Sequence, residues 1–180
     1  MTTRDRTGDQ QLLLGEWACL GILYQGPSHG FAIAGRLRRD GDIGRVWSLS
    51  RPMTYRSLDQ LAQRGYIRPI GEEPGIAGGN RTVLAATRLG RARLRIWVAT
   101  PVAHLRDLRS ELLLKLVLAE RCGLDVGGLL AKQRVRIAEL NDALAGAADS
   151  PRMADVVALW RRESSEAALR FVDRVASLRP

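Results

Sequence analysis

Apolar residues recur at helical spacing over residues 11–24, where Leu13, Trp17, Leu20 and Tyr24 share one face and Leu14 and Ala18 flank it. Gly26-Pro27 stops this helix. Ser28 is the candidate N-cap of a second helix, with Ala32, Ile33, Ala34 and Leu37 on its apolar side. Arg39–Gly44 carries two glycines and two aspartates and reads as a turn. A third helix starts at Ser50, tolerates Pro52 in its first turn, turns Thr54, Leu58 and Leu61 inward, and ends at Gly65.

The period then changes. Tyr66–Ile70 reads as a strand, Gly71–Asn80 as a glycine-rich loop, and Arg81–Ala86 as a returning strand. Thr87 caps a helix that runs to about Val98, and Thr100-Pro101 breaks it. The order helix, helix, helix, hairpin is that of a winged helix-turn-helix, in which the third helix enters the major groove.

The remaining residues are helical in pattern. Leu105, Leu108, Leu112 and Leu116 form one stripe between His104 and Arg121. Val126, Leu130, Ile137, Leu140 and Leu144 form another. A helix starting at Ser150-Pro151 carries Met153, Val157, Trp160, Ala167, Phe171, Val175 and Leu178 at near-heptad spacing. Long apolar stripes without a closed core call for a partner, and a second copy is the simplest one. The expected dimerisation residues are Leu105, Leu108, Leu112, Val157, Trp160, Phe171 and Val175.

The expected fold class is mainly α: a winged helix-turn-helix with a small hairpin wing, then an all-helical dimerisation domain. The expected domains are a flexible tail at 1–10, a DNA-binding domain at 11–101 and a helical domain at 102–180.

Charge sharpens this reading. The chain has 180 residues, 46% of them hydrophobic, and a net charge of +9. Residues 1–100 hold 15 arginines and no lysine against 8 acids, so most of the excess lies there. A basic domain attracts polyanions through counterion release, and nucleic acid is the commonest. Arg51, Tyr55 and Arg56 lie on the third helix off its buried stripe, and Asn80 and Arg81 end the hairpin loop.

Other chemistry finds no foothold. His29 and His104, the two histidines, have no clustered ligand near them, so no metal and no cofactor is expected. His29 at a helix start suits a capping hydrogen bond. GIAGG lacks a following Gly-Lys-Ser/Thr, and no nucleophile motif occurs, so the chain is not expected to be an enzyme. Cys19 and Cys122 read as buried hydrophobes. No apolar run reaches membrane length, and MTTRDRTGDQ has no signal-peptide core, so a cytoplasmic protein is expected. Among the four tryptophans, Trp17 and Trp47 fall on core-like positions, and Trp97 is the candidate wall of an effector pocket.

The segments GPSHGFAIA (26–34), VWSLSRPMTYRSLDQLAQRGYI (46–67) and TPVAHLRDLRSELLLKL (100–116) resemble the PadR family of bacterial transcriptional regulators, most closely its longer members. The resemblance covers roughly residues 12–180. It implies a homodimer, usually a repressor on an inverted-repeat operator, with a small-molecule response in many members, phenolic or flat aromatic compounds among them. It implies that Ser50, Arg51, Pro52, Tyr55 and Arg56 begin the recognition helix, that Tyr55 contacts phosphate, and that Asn80 and Arg81 belong to the wing. His29 falls in the family's His-Gly turn. Phe31 stands where the family often has Tyr, and Glu72 and Glu73 make the wing less basic than the family pattern. The competing expectation is a winged helix that binds a protein or a small molecule without specific DNA binding.

Overall fold

The computed structural model describes residues 11–75, 79–145 and 156–178. The expected tail at 1–10, the Ser150-Pro151 helix start and Met153 lie outside the described residues. The chain divides at Arg91 into two compact units.

The first unit is a winged helix-turn-helix. Helix α1 (Leu14–Gln25) is its centre, with every residue from Gly15 to Leu23 buried. A helix apolar on all sides is enclosed on all sides, so the single-face reading was too narrow. Leu13, expected to point inward, is exposed just before the helix. Its N–H donates to the Glu16 carboxylate at 2.8 Å, and Arg64, which follows the third helix, reaches the same oxygen at 3.5 Å and ties that point to the start of α1.

Ser28 does not cap the second helix. Ser28 and His29 form a two-residue strand, β1, and the His29 Nδ1 accepts the Ala32 N–H at 3.1 Å to cap helix α2 (Gly30–Arg36). The expected hairpin is therefore one part of a three-stranded sheet, in which the returning strand of the hairpin lies between β1 and the outgoing strand. The turn after α2 is locked by a bidentate Arg36–Asp42 ion pair at 2.7–3.0 Å.

Helix α3 (Arg51–Gln63) buries Thr54, Ser57, Leu58 and Leu61. Gly65, at φ +70°, ends it in the left-handed conformation, and the Tyr66 N–H returns to the Leu61 carbonyl at 2.9 Å.

The wing's strands are longer than expected. Strands β2 (Ile67–Pro74) and β3 (Asn80–Ala86) run antiparallel from Ile67↔Ala86 to Pro74↔Asn80, with an irregularity between Pro69 and Gly71. Gly71–Pro74, taken for loop, belong to the ladder. Thr87 caps helix α4 (Arg88–Ala99) by accepting the Gly90 N–H at 3.1 Å, while its hydroxyl donates to the Gly65 carbonyl at 2.7 Å.

The second unit is helical, and the expected continuous helix from His104 is not. A 3-10 turn (Leu105–Asp107) leads into a π turn (Leu108–Leu112) and then into helix α5 (Leu113–Cys122). The π turn resets the helical phase, so α5 buries Leu114, Lys115, Leu118 and Ala119, while Leu116 is half-buried. Helix α6 (Gly127–Ala145) packs on helix α7 (Val156–Ser177), with an Arg134–Asp173 ion pair at 2.7 Å between them.

The stretch between α4 and the 3-10 turn has few backbone partners, and side chains supply them. Buried Gln133 accepts the Val102 N–H at 2.7 Å and donates to the Val102 carbonyl at 3.2 Å, imitating a neighbouring strand. The Lys115 ammonium donates to the Thr100 carbonyl at 2.6 Å. No helix among the described residues is long and apolar enough to cross a membrane.

Candidate nucleic-acid interface

Ser50 opens α3 with its hydroxyl accepting the Met53 N–H at 3.4 Å, and Pro52 follows in the first turn. The helix's inward stripe fixes its outward face. Arg51, Pro52, Tyr55 and Arg56 all lie on the exposed side, as does Asp59. The first two turns of α3 therefore present two guanidinium groups and a phenol to solvent. This geometry lets arginine donate to a base edge or phosphate and a tyrosine hydroxyl reach a phosphate.

Two segments outside α3 meet it there. Phe31, on the first turn of α2, is 51% exposed. The Arg51 guanidinium carbon lies 5.3 Å from its ring centroid, and that of Arg81 from β3 lies 5.0 Å from it. Arg51 also lies 5.9 Å from the Tyr55 ring. The His29 ring stands 6.4 Å from Phe31, tilted by 34°. Six expected site residues, His29, Ser50, Arg51, Pro52, Tyr55 and Arg81, are thus drawn to the junction of α2, the start of α3 and the wing. Neither Arg51 nor Arg81 has a carboxylate partner among the described residues.

Asn80 is placed differently. Its amide donates to the Glu72 carboxylate at 2.7 Å across the hairpin, so it is engaged within the wing. Phe31 and Met53, both exposed, lie outside the expected set of site residues. An exposed Phe or Met on an otherwise polar face was the available signal.

In the second unit, Trp97 is 7% exposed and has the Lys115 ammonium 4.9 Å from its ring centroid. Burial lowers the Lys115 pKa from its ordinary 10.5, against the raising effect of Glu111, whose carboxylate lies 2.7 Å away. A groove of about 810 Å³ opens elsewhere in this unit. Leu105, Leu108, Leu112, Trp160 and Phe171, five of the seven residues expected at a dimer contact, line it together with Arg106, Arg109 and Arg161. Trp97 does not line it. Val157 is exposed and Val175 half-buried on the same helix, α7. No group of three or more His, Cys, Asp or Glu side chains that could hold a metal occurs among the described residues.

The order of three helices, the two-stranded wing and the short strand before α2 define a winged helix-turn-helix followed by a helical region. Among solved structures, the chain is similar to Bacillus subtilis PadR in complex with operator DNA, with 18% identity, 89% of this chain and 97% of that chain covered, and a TM-score of 0.46. It is similar to Bacillus subtilis PadR alone at 17% identity, with 96% and 98% of the two chains covered and a TM-score of 0.42. It is also similar to smu.1604c from Streptococcus mutans UA159 at 15% identity, with 92% and 99% covered and a TM-score of 0.44. No protein-family model and no curated protein matches the chain.

Proposed function

We propose that the chain is a sequence-specific DNA-binding transcriptional regulator, acting as a homodimeric repressor on an inverted-repeat operator. One observation carries this reading: Arg51 at the start of α3 and Arg81 on the wing converge on the exposed Phe31 ring, and neither guanidinium makes an ion pair among the described residues. A solvated surface arginine gains little from such crowding, whereas a polyanion reverses its cost. In this reading Arg51 and Arg56 reach base edges, Tyr55 and Ser50 contact phosphates, and Arg81 follows the flanking backbone. Pro52 fixes the helix start, and His29 holds the turn before α2. Asn80 orders the wing through Glu72.

The second copy binds through the helical unit. Trp160, 72% exposed, stands on the wall of the apolar groove, with its ring open to solvent. Knob and hole on one surface suit a two-fold contact, which is self-complementary. A small aromatic effector entering the groove would compete with the partner's side chains. It would thereby favour a different spacing of the two recognition helices and weaken operator binding. Trp97, already covered by Lys115, is the less open alternative for that effector.

The test is a fluorescence-anisotropy titration with the chain's own upstream DNA at several salt concentrations. A regulator gives a steep salt slope and clear preference over scrambled duplex. Equal affinity for both sequences would sink the specific-regulator reading. Arg51→Ala relaxes specificity, whereas Tyr55→Phe weakens binding to all sequences alike. Trp160→Asp turns the dimer into a monomer in sedimentation, and an unchanged mass would remove the groove from the dimer contact.

A further inference from the structure

Phe31 is a large aromatic side chain on the surface of a short helix whose packing is done by other residues. Gly30, Ile33 and Ala34 are the buried positions of α2, and Leu37 follows them into the core. Burial therefore does not account for a phenyl ring at position 31. Its neighbours do: two guanidinium groups, from elements remote in sequence, each lie within about 5 Å of one ring centroid.

Arginine surfaces can be ordered in two ways. A carboxylate partner orders a guanidinium by accepting its N–H groups, which consumes the donors that DNA would need. An aromatic face attracts the positive charge and leaves those donors pointing outward. Arg36 and Asp42 show the first solution in this same unit, in the turn after α2. Arg51 and Arg81 show the second.

From this arrangement we infer that Phe31 is a positioning residue that holds Arg51 of the recognition helix and Arg81 of the wing as one unit, donors free, for the duplex. The inference rests on the DNA-binding reading above. The two guanidinium groups carry like charge beside one ring, and the oxyanions of DNA offset their repulsion. Phe31 itself makes no demand on the base sequence. Its contribution is that helix and wing arrive already aimed, which lowers the ordering cost of binding.

The experiment uses the full chain and its upstream duplex. Phe31→Leu keeps an apolar side chain but no ring, Phe31→Tyr keeps the ring, and each is also placed in an Arg51→Ala/Arg81→Ala background. Phe31→Leu should weaken binding ~5–30-fold, if the order that two exposed cation–π contacts impose is all lost. Its salt slope should match wild type, because the same phosphates are still reached. Phe31→Tyr should bind like wild type. In the double-alanine background Phe31→Leu should have no further effect.

An equal loss in that background would mean that Phe31 touches DNA itself, and the positioning role would be overturned. Unchanged affinity of Phe31→Leu in the wild-type background would overturn it as well. A second readout needs no DNA: the Arg51 and Arg81 Nε–H resonances should show ring-current shifts that Phe31→Leu abolishes. Their absence in wild type overturns the clamp. If wild type fails to select its upstream duplex, the regulator reading fails and takes the positioning role with it. If wild type binds and Phe31→Leu binds equally, the positioning role alone fails.

Discussion

The ring of Tyr55 fills the space that a side chain at Gly30 would need. A Cβ placed on Gly30 would lie 2.7 Å from the Tyr55 Cε1 and 3.2 Å from its hydroxyl oxygen. The first residue of α2 thus sets where the phenol of α3 stands. The obstructed group is the far end of a half-exposed side chain, so Gly30→Ala should move the ring and spare the fold. We expect roughly unchanged thermal stability and about tenfold weaker DNA binding, the loss of one charge-assisted hydrogen bond. Gly30→Ala binding DNA as tightly as wild type would show that the Tyr55 position is not used.

Gly90 faces a harder obstacle. A Cβ there would meet the Tyr66 carbonyl oxygen, which is backbone and is already held by the Thr87 N–H at 2.9 Å. Gly90→Ala must lift the first turn of α4 from the start of the wing. We expect a loss of about 1–3 kcal/mol by urea denaturation, the usual cost of overpacking. The lift should also lower wing protection in hydrogen exchange, and an unchanged midpoint would contradict it.

Lys115 makes stability depend on pH in a defined direction. Its side chain is 1% exposed and burial holds its pKa below 10.5. Between the folded and unfolded values the unfolded chain binds more protons, so raising the pH through that window stabilises the folded state. Lys115→Met should remove this rise, which lies on the acid side of the ordinary value of 10.5. Comparing the two proteins at each pH cancels the titrations that do not depend on Lys115. Parallel curves would mean that Glu111 and Thr100 fully compensate the buried charge.

Cys19 behaves oppositely. Burial, with Glu16 adding to it, pushes its thiol up to about 12. The folded state therefore favours the protonated thiol, and this stabilisation is lost as pH rises from about 9 toward 12. At neutral pH the thiolate is roughly one part in 100,000. A chromogenic disulfide reagent should label half-buried Cys122 first and reach Cys19 only on unfolding. Rapid labelling of Cys19 in a folded Cys122→Ser variant would refute this.

Much of this architecture was legible because local signals agreed. Ser50, Pro52, the stripe Thr54–Leu58–Leu61 and Gly65 each mark the same helix, and its outward face follows from its inward one. The lost details have identifiable causes. Strand β1 has two residues, too few for any period, and exists only because Leu84 and Val83 lie opposite. Gly71–Pro74 look like loop, but β2 is an outer strand, where proline and a bulge are tolerated. Lys115 reads as a charge interrupting an apolar run, and only the π turn before it brings it inside. The Phe31 cluster depends on contacts between distant segments, which no local pattern encodes.

The placement of β2 also bears on how molecules meet one another. An outer strand offers a row of unpaired backbone groups, a ready template for sheet extension from chain to chain. On β2, Pro69 and Pro74 supply no N–H, the irregularity at Gly71 breaks the register, and Glu72 and Glu73 are exposed. At the opposite edge β1 is too short to recruit a strand. Two copies brought close together therefore keep their wings as separate fingers and do not stitch them into a continuous ribbon.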